Sequence, residues 1–181
     1  MPPRRPPTVR RSLFAAAGLA LLAAACGPAL DWRLVQPPGW SLAATLPCRP
    51  DTTERRVPLA GAPVALGLWS CQAGDHMFAI ASADLGDPAR VGPALQALGA
   101  AARANIGAQL QSEQPAQVPG MTPHPDARLQ RLVGRRPDGQ PVRSQVLVFA
   151  YGARVYQATV LGPQAGDAQA RPLFESLGVR P

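Results

Sequence analysis

The chain has 181 residues and a formal charge of +7, carried by 18 arginines, with no lysine, against 11 acidic residues. Four of those arginines lie in residues 1–25, so fourteen face the eleven acidic groups over the rest, a balance of +3. That excludes the dense basic face of a nucleic-acid binder, and residues 26–181 suffice for one domain with a single core.

The N-terminus has the layout of an export segment. Arg4, Arg5, Arg10 and Arg11 precede an apolar run from Leu13 to Leu22, which is shorter than the roughly 20 residues needed to span a bilayer. Ala23, Ala24 and Ala25 then lead to Cys26. The stretch Leu22-Ala-Ala-Ala-Cys26 resembles the lipobox of bacterial lipoproteins. The resemblance implies cleavage before Cys26, acylation of that residue and anchoring by two or three acyl chains, where a single chain is marginal. Arg10-Arg11-Ser12-Leu13-Phe14 also resembles a twin-arginine motif, which stays open beside an ordinary Sec signal. Residue 27 is Gly, not the Asp that resembles an inner-membrane retention signal, so the outer membrane is favoured. The reading is a signal peptide over 1–25, a lipidated tether over 26–38 within which Asp31 to Val35 is a candidate first strand, and one domain over 39–181.

Along that domain, Trp40, Leu42 and Leu46 fall on even positions, as in a half-buried strand. Residues 51–63 are polar, with a short strand expected around Arg55 to Leu59. Val64 to Cys71 and His76 to Leu85 read as two strands joined by the turn Ala73-Gly74-Asp75. Cys48 and Cys71 remain after Cys26, and an even pair in an exported chain reads as a disulfide. Asp87 and Pro88 mark a helix start. The stripe Val91, Leu95, Leu98, Ala102, Ile106 and Leu110 follows at helical steps, weakened by Gly92, Pro93, Gly99 and Gly107. Residues 117–125 read as a loop. Strands are expected over Ala127 to Gly134, Val142 to Tyr151 and Arg154 to Leu161, with a hairpin tip at Pro137-Asp138-Gly139. Asp167 is placed as the cap of a short helix holding Leu173, Phe174 and Leu177. The order of elements reads as α+β, an antiparallel sheet with one long and one short helix packed on it.

Three stretches carry a further resemblance. Pro38-Gly-Trp-Ser-Leu-Ala-Ala-Thr-Leu-Pro47 with Pro50, then Val118-Pro-Gly120, then Ala153-Arg-Val-Tyr-Gln-Ala-Thr-Val-Leu161 with Pro172-Leu-Phe-Glu-Ser-Leu177, resemble bacterial exported domains of the Mog1/PsbP-like fold. Trp40 and Leu46 replace the usual phenylalanines, and Cys48 and Cys71 are additions. The resemblance implies an α/β/α sandwich around an antiparallel sheet. It implies no common catalysis, since members include assembly and binding factors.

The residues offer no catalytic constellation. His76 and His124 are the only histidines, and there is no Gly-x-Ser-x-Gly, His-Glu-x-x-His or phosphate-cradling glycine loop. Cys48, Cys71, His76 and His124 lack compact zinc-ligand spacing. No cofactor is implied. Arg128, Arg131, Arg135 and Arg136 cluster around one hairpin and are candidate contacts to an anionic lipid headgroup or an acidic partner. The expectation is a non-catalytic, lipid-anchored periplasmic module that binds or assembles an envelope protein or a small ligand. The alternative is a small hydrolase or metal-dependent enzyme using His76 or His124.

Overall fold

Val35 is buried, and the first strand, β1 (Arg33–Val35), runs antiparallel to β2 (Leu42–Leu46), with Val35 opposite Ala44. In β2 the side chains of Leu42, Ala44 and Leu46 are buried while Ala43 and Thr45 are half-exposed, the alternation of a strand with one covered face. The computed structural model describes residue 1 and residues 30–180, so Cys26 and the export segment lie outside the described residues. The Asp31 amide also donates to the Pro47 carbonyl at 2.7 Å, one residue out of the β1–β2 register, which ties the segment down ahead of the strand. Within the expected tether over 26–38, the candidate first strand is present at Arg33–Val35, and Val35 fills the core.

The main body is a seven-stranded antiparallel sheet. Its strands are β3 (Asp51–Leu59), β4 (Ala62–Ala73), β5 (His76–Asp84), β6 (Gln109–Pro115), β7 (Arg128–Arg135), β8 (Pro141–Tyr151) and β9 (Arg154–Gly162), in the order β3-β4-β5-β9-β8-β7-β6. A final short strand, β10 (Gly178–Val179), joins β2 to complete a separate three-stranded sheet, β1-β2-β10. The helices are α1 (Val91–Asn105) and α2 (Asp167–Ser176). The chain is α+β.

Coverage explains the strand compositions. In β8 every residue from Ser144 to Ala150 is buried, and in β5 every residue from Phe78 to Ala83, because these central strands are covered on both faces. The edge strands β3 and β6 are almost wholly exposed and polar. A polar, exposed edge limits pairing with other chains. It also hid β6 and the first part of β3 in the sequence. β3 spans nine residues where a short strand was expected, and β6 lies where the helix and the following loop were expected to meet.

α1 starts after a 3-10 turn, Pro88–Arg90, in which the Asp87 carboxylate accepts from the Ala89 amide at 2.9 Å. It buries Val91, Ala94, Leu95, Leu98 and Gly99. Burying a leucine such as Leu95 stabilises by about 2 kcal/mol. The helix stops at Asn105, and Gly107 takes φ +52, which favours glycine. The expected stripe therefore ends before Leu110, which sits exposed on β6. α2 begins with Gly166 as its cap, whose amide donates to Gln169 Oε1 at 3.3 Å. Asp167 is corrected from cap to first-turn residue.

The two helices lie on opposite faces of the large sheet. Gln130 of β7 packs against Gly99 of α1, whereas Arg131, one residue on, bonds to Asp167 of α2. Adjacent strand residues point to opposite faces, so α1 and α2 cannot share one. The small sheet lies on the α2 face. There Phe149 and Tyr156 stack with centroids 5.0 Å apart, and Tyr156 Oη donates to the Trp40 carbonyl just before β2.

Candidate functional site

Cys48, just after β2, and Cys71, in β4, are joined as a disulfide with Cα atoms 5.9 Å apart. The bond ties the end of the small sheet to the large one. A 23-residue separation corresponds to about 3 kcal/mol of chain-entropy stabilisation. Both thiols are thereby used, so neither is free as a zinc ligand. Among the described residues no three His, Cys, Asp or Glu side chains converge as a metal site.

The histidines have separate settings. His76 opens β5 beside Gly162, where an added Cβ would collide with the imidazole. Its Nδ1 lies 2.6 Å from Asp75 Oδ1, so sequence neighbours form an Asp–His pair. Its Nε2 is buried without a hydrogen-bond partner, which closes that nitrogen to solvent and substrate alike. His124 Nδ1 accepts from the Asp126 amide at 3.1 Å, and Asp126 Oδ2 lies 3.7 Å away. Among the described residues neither imidazole is hydrogen-bonded to a serine, threonine or cysteine.

The four arginines do not form one surface, and this corrects their expected grouping. Arg128 and Arg131 leave β7 on opposite faces. Arg128 Nε lies 3.9 Å from Glu113 Oε2 on the α1 side. Arg131 Nε donates to Asp167 Oδ1 at 2.9 Å on the α2 side, where Gln145 Nε2 donates to the same oxygen at 2.9 Å. Those two donors hold the Asp167 carboxyl below its ordinary pKa, Arg131 first and Gln145 second. Arg135 Nη1 donates to the Gly139 carbonyl at 2.8 Å and closes the β7–β8 turn. The Arg136 amide donates to the Gln140 carbonyl within that turn. The strand period of two separates residues that a linear count places together.

The structure brings Arg128 into a different constellation. An open groove of about 540 Å³ runs between α1 and the β6–β7 edge. Gln96, Arg103, Glu113, Asp126, Arg128 and Gln130 give it polar walls, and Leu110 adds an exposed apolar one. Gln130 is only 4% exposed. Its Nε2 donates to Glu113 Oε1 at 2.6 Å, while its Oε1 is buried without a partner. Asp126 Oδ1 accepts from Gln96 Nε2 at 3.1 Å across the other end. The groove thus alternates cationic and anionic groups around a buried amide, an arrangement suited to recognition by hydrogen bonds. No motif announces it, because the participants come from a helix, two strands and a loop. The only local sign is Gly99, whose missing side chain lets α1 approach Gln130: a Cβ there would lie 3.1 Å from Gln130 Nε2.

No family model and no curated protein matches the chain. A protein of unknown function from Pseudomonas aeruginosa, PA94, has a solved structure similar to this one at 13% identity and a TM-score of 0.42, over 78% of this chain and 89% of its own.

Proposed function

We propose that this chain is a lipid-anchored, non-catalytic binding or assembly module of the bacterial envelope, its domain facing the periplasm, with the outer membrane favoured. The observation that carries this reading is the division of labour among three cysteines. Cys48 and Cys71 are bonded to each other, as suits an oxidising compartment, and Cys26 alone closes the apolar run Leu13 to Leu22. The domain is of the Mog1/PsbP-like kind in this proposal. An antiparallel sheet with helices on opposite faces is compatible with the α/β/α layering of that fold. The α1 groove with Arg128 and Gln130 is its candidate contact surface.

The test is cross-linking in intact cells followed by purification through a C-terminal tag, with Cys26→Ala as the control. The expected result is membrane fractionation of the wild-type protein, a soluble control, and one stoichiometric partner captured only by the anchored form. A Cys26→Ala protein retained in membranes at the wild-type level overturns the anchor.

A further inference from the structure

Leu110 and Glu113 are three residues apart in β6, yet they face the same side of the sheet. In an unbroken strand that spacing turns side chains to opposite faces. Here the pairing shifts by one residue between Leu110 and Ser112, so Leu110 lies opposite Leu132, Glu113 opposite Gln130 and Pro115 opposite Arg128. Gln130 packs on Gly99, so the whole set lies on the α1 side. Gln96, Ala100 and Arg103, spaced by four and three along α1, form the facing wall. The bulge therefore brings an exposed leucine and a carboxylate into one wall of the α1 groove.

The charges of the groove are unequally engaged. Glu113 Oε1 accepts from Gln130, and Asp126 Oδ1 accepts from Gln96, so each carboxylate already holds an amide. The guanidiniums are freer. Arg128 reaches Glu113 only at 3.9 Å, longer than a hydrogen bond. Arg103 is half-buried in the groove and makes no ion pair or side-chain hydrogen bond among the described residues. It stands in the last turn of α1, where a positive charge also suits the helix end. That role asks for charge alone. A guanidinium adds a planar fork of donors, and two of them lining one groove suit a carboxylate.

We infer that the α1 groove binds an acidic segment of a partner protein, with a carboxylate side chain received by Arg103 and Arg128 and an apolar neighbour set against Leu110. This rests on the reading of the groove as the domain's contact surface. A protein segment supplies what mixed walls require. Its side chain brings the negative charge, while its backbone N–H groups donate to Glu113 and Asp126. A phosphate-bearing lipid headgroup fits less well, because Glu113 and Asp126 repel the anionic layer around it. The groove, about 540 Å³, is open beside the free edge of the sheet, whereas small-molecule pockets enclose most of their ligand.

The test replaces Leu110 of the full-length protein by photo-reactive benzoylphenylalanine in intact cells and reads the captured peptide by mass spectrometry. Leu110 is 45% exposed, so the added bulk points to solvent. The expected adduct is a peptide of another protein with Asp or Glu beside the cross-linked residue. Arg103→Gln and Arg128→Gln should each lower its yield without lowering the melting midpoint. Arg103→Lys should fall between wild type and Arg103→Gln, since it keeps the charge and loses the fork. A synthetic copy of the captured segment should bind the purified protein roughly tenfold more tightly than a copy whose acidic residues are changed to their amides. An adduct with phosphatidylglycerol or with a second copy of the chain overturns the inference. So does a peptide without a carboxylate, or one captured equally by the arginine variants. No adduct at Leu110, while the C-terminal tag still captures one partner, overturns the inference and leaves the anchored module standing. Membrane retention of Cys26→Ala overturns the anchor alone, and an arginine-dependent acidic adduct then still supports the groove.

Discussion

Tyr156 of β9 donates its phenolic proton to the carbonyl of Trp40, fastening the small sheet to the middle of the large one. The phenol is fully buried, and its pKa is pushed up to about 12, chiefly by desolvation and against the lowering pull of Arg154. Tyr156→Phe leaves the Trp40 carbonyl unpartnered and is expected to cost about 1–2 kcal/mol in urea unfolding. The pH dependence has a fixed sign. An unfolded tyrosine ionises near pH 10 and the folded one near pH 12. The protonated phenol therefore contributes fully below pH 10, and its contribution, roughly 2 kcal/mol, is lost as the pH rises to 12. Wild-type stability should fall over that window relative to Tyr156→Phe. Parallel curves for the two proteins contradict the burial argument.

At the acid end the relevant group is Asp167. Its folded pKa is depressed by Arg131 and Gln145, so its stabilisation is present above the ordinary carboxylate range and is lost as pH falls through the folded value. The carboxylate side chain is 57% exposed, which limits the effect to below about 1 kcal/mol. Asp167→Asn should lower the midpoint slightly at pH 7 and hardly at all in strong acid, as read by thermal melts at both pH values.

Much of this fold was legible where burial imposes a pattern. The alternation in Trp40 to Leu46, the continuous apolar runs of β5 and β8, and the Asp87-Pro88 start all arise from one-sided burial, two-sided burial and capping. The disulfide followed from an even cysteine count. Of β3 only the stretch from Arg55 to Leu59 was legible, and β6 was not, because edge strands satisfy their backbone on one side and leave their side chains to solvent. The arginine cluster misled, since proximity in sequence ignores which face of β7 each residue leaves. The α1 groove was invisible because Gln130, Glu113 and Arg103 meet only after three elements have docked.

Gln130 gives that groove a distinct signature. Its buried Oε1 has no partner, which is a standing cost to the fold. Gln130→Leu should be neutral or stabilising by up to about 1 kcal/mol, because Glu113, its remaining partner, is 36% exposed and can be hydrated. If the groove is the contact surface, the same variant captures less of the partner found by cross-linking while melting no lower. A variant that both melts lower and keeps its partner would assign Gln130 to packing alone.

Gly67 tests the packing between the sheets. A Cβ there would lie 2.6 Å from Trp40 Cζ2, inside contact distance, and Trp40 is buried against Trp69 with ring centroids 6.3 Å apart. The indole is a rigid plane and cannot yield at one atom. Gly67→Ala is expected to cost about 1–3 kcal/mol, the usual range for an overfilled core. Near-ultraviolet circular dichroism should change with it, because the coupled Trp40–Trp69 pair moves. An unchanged spectrum and midpoint would mean that Trp40 has another place to go.

The disulfide links the same two layers by a covalent route. Cys48 sits where the chain leaves β2 and Cys71 sits in β4, so reduction frees the exit of the small sheet while the Tyr156–Trp40 bond still holds its entry. The loss is expected to be about 3 kcal/mol if the denatured chain carries most of the effect. A Cys48→Ser/Cys71→Ser double variant and the reduced wild-type protein should then share one lowered midpoint, below that of the oxidised protein. The two perturbations also differ in a useful way. Reduction acts largely on the unfolded ensemble and should leave the native near-ultraviolet spectrum intact, whereas Gly67→Ala acts on the native packing and should alter it. A reduced protein with the oxidised midpoint would show that the packed interface alone fixes the small sheet in place.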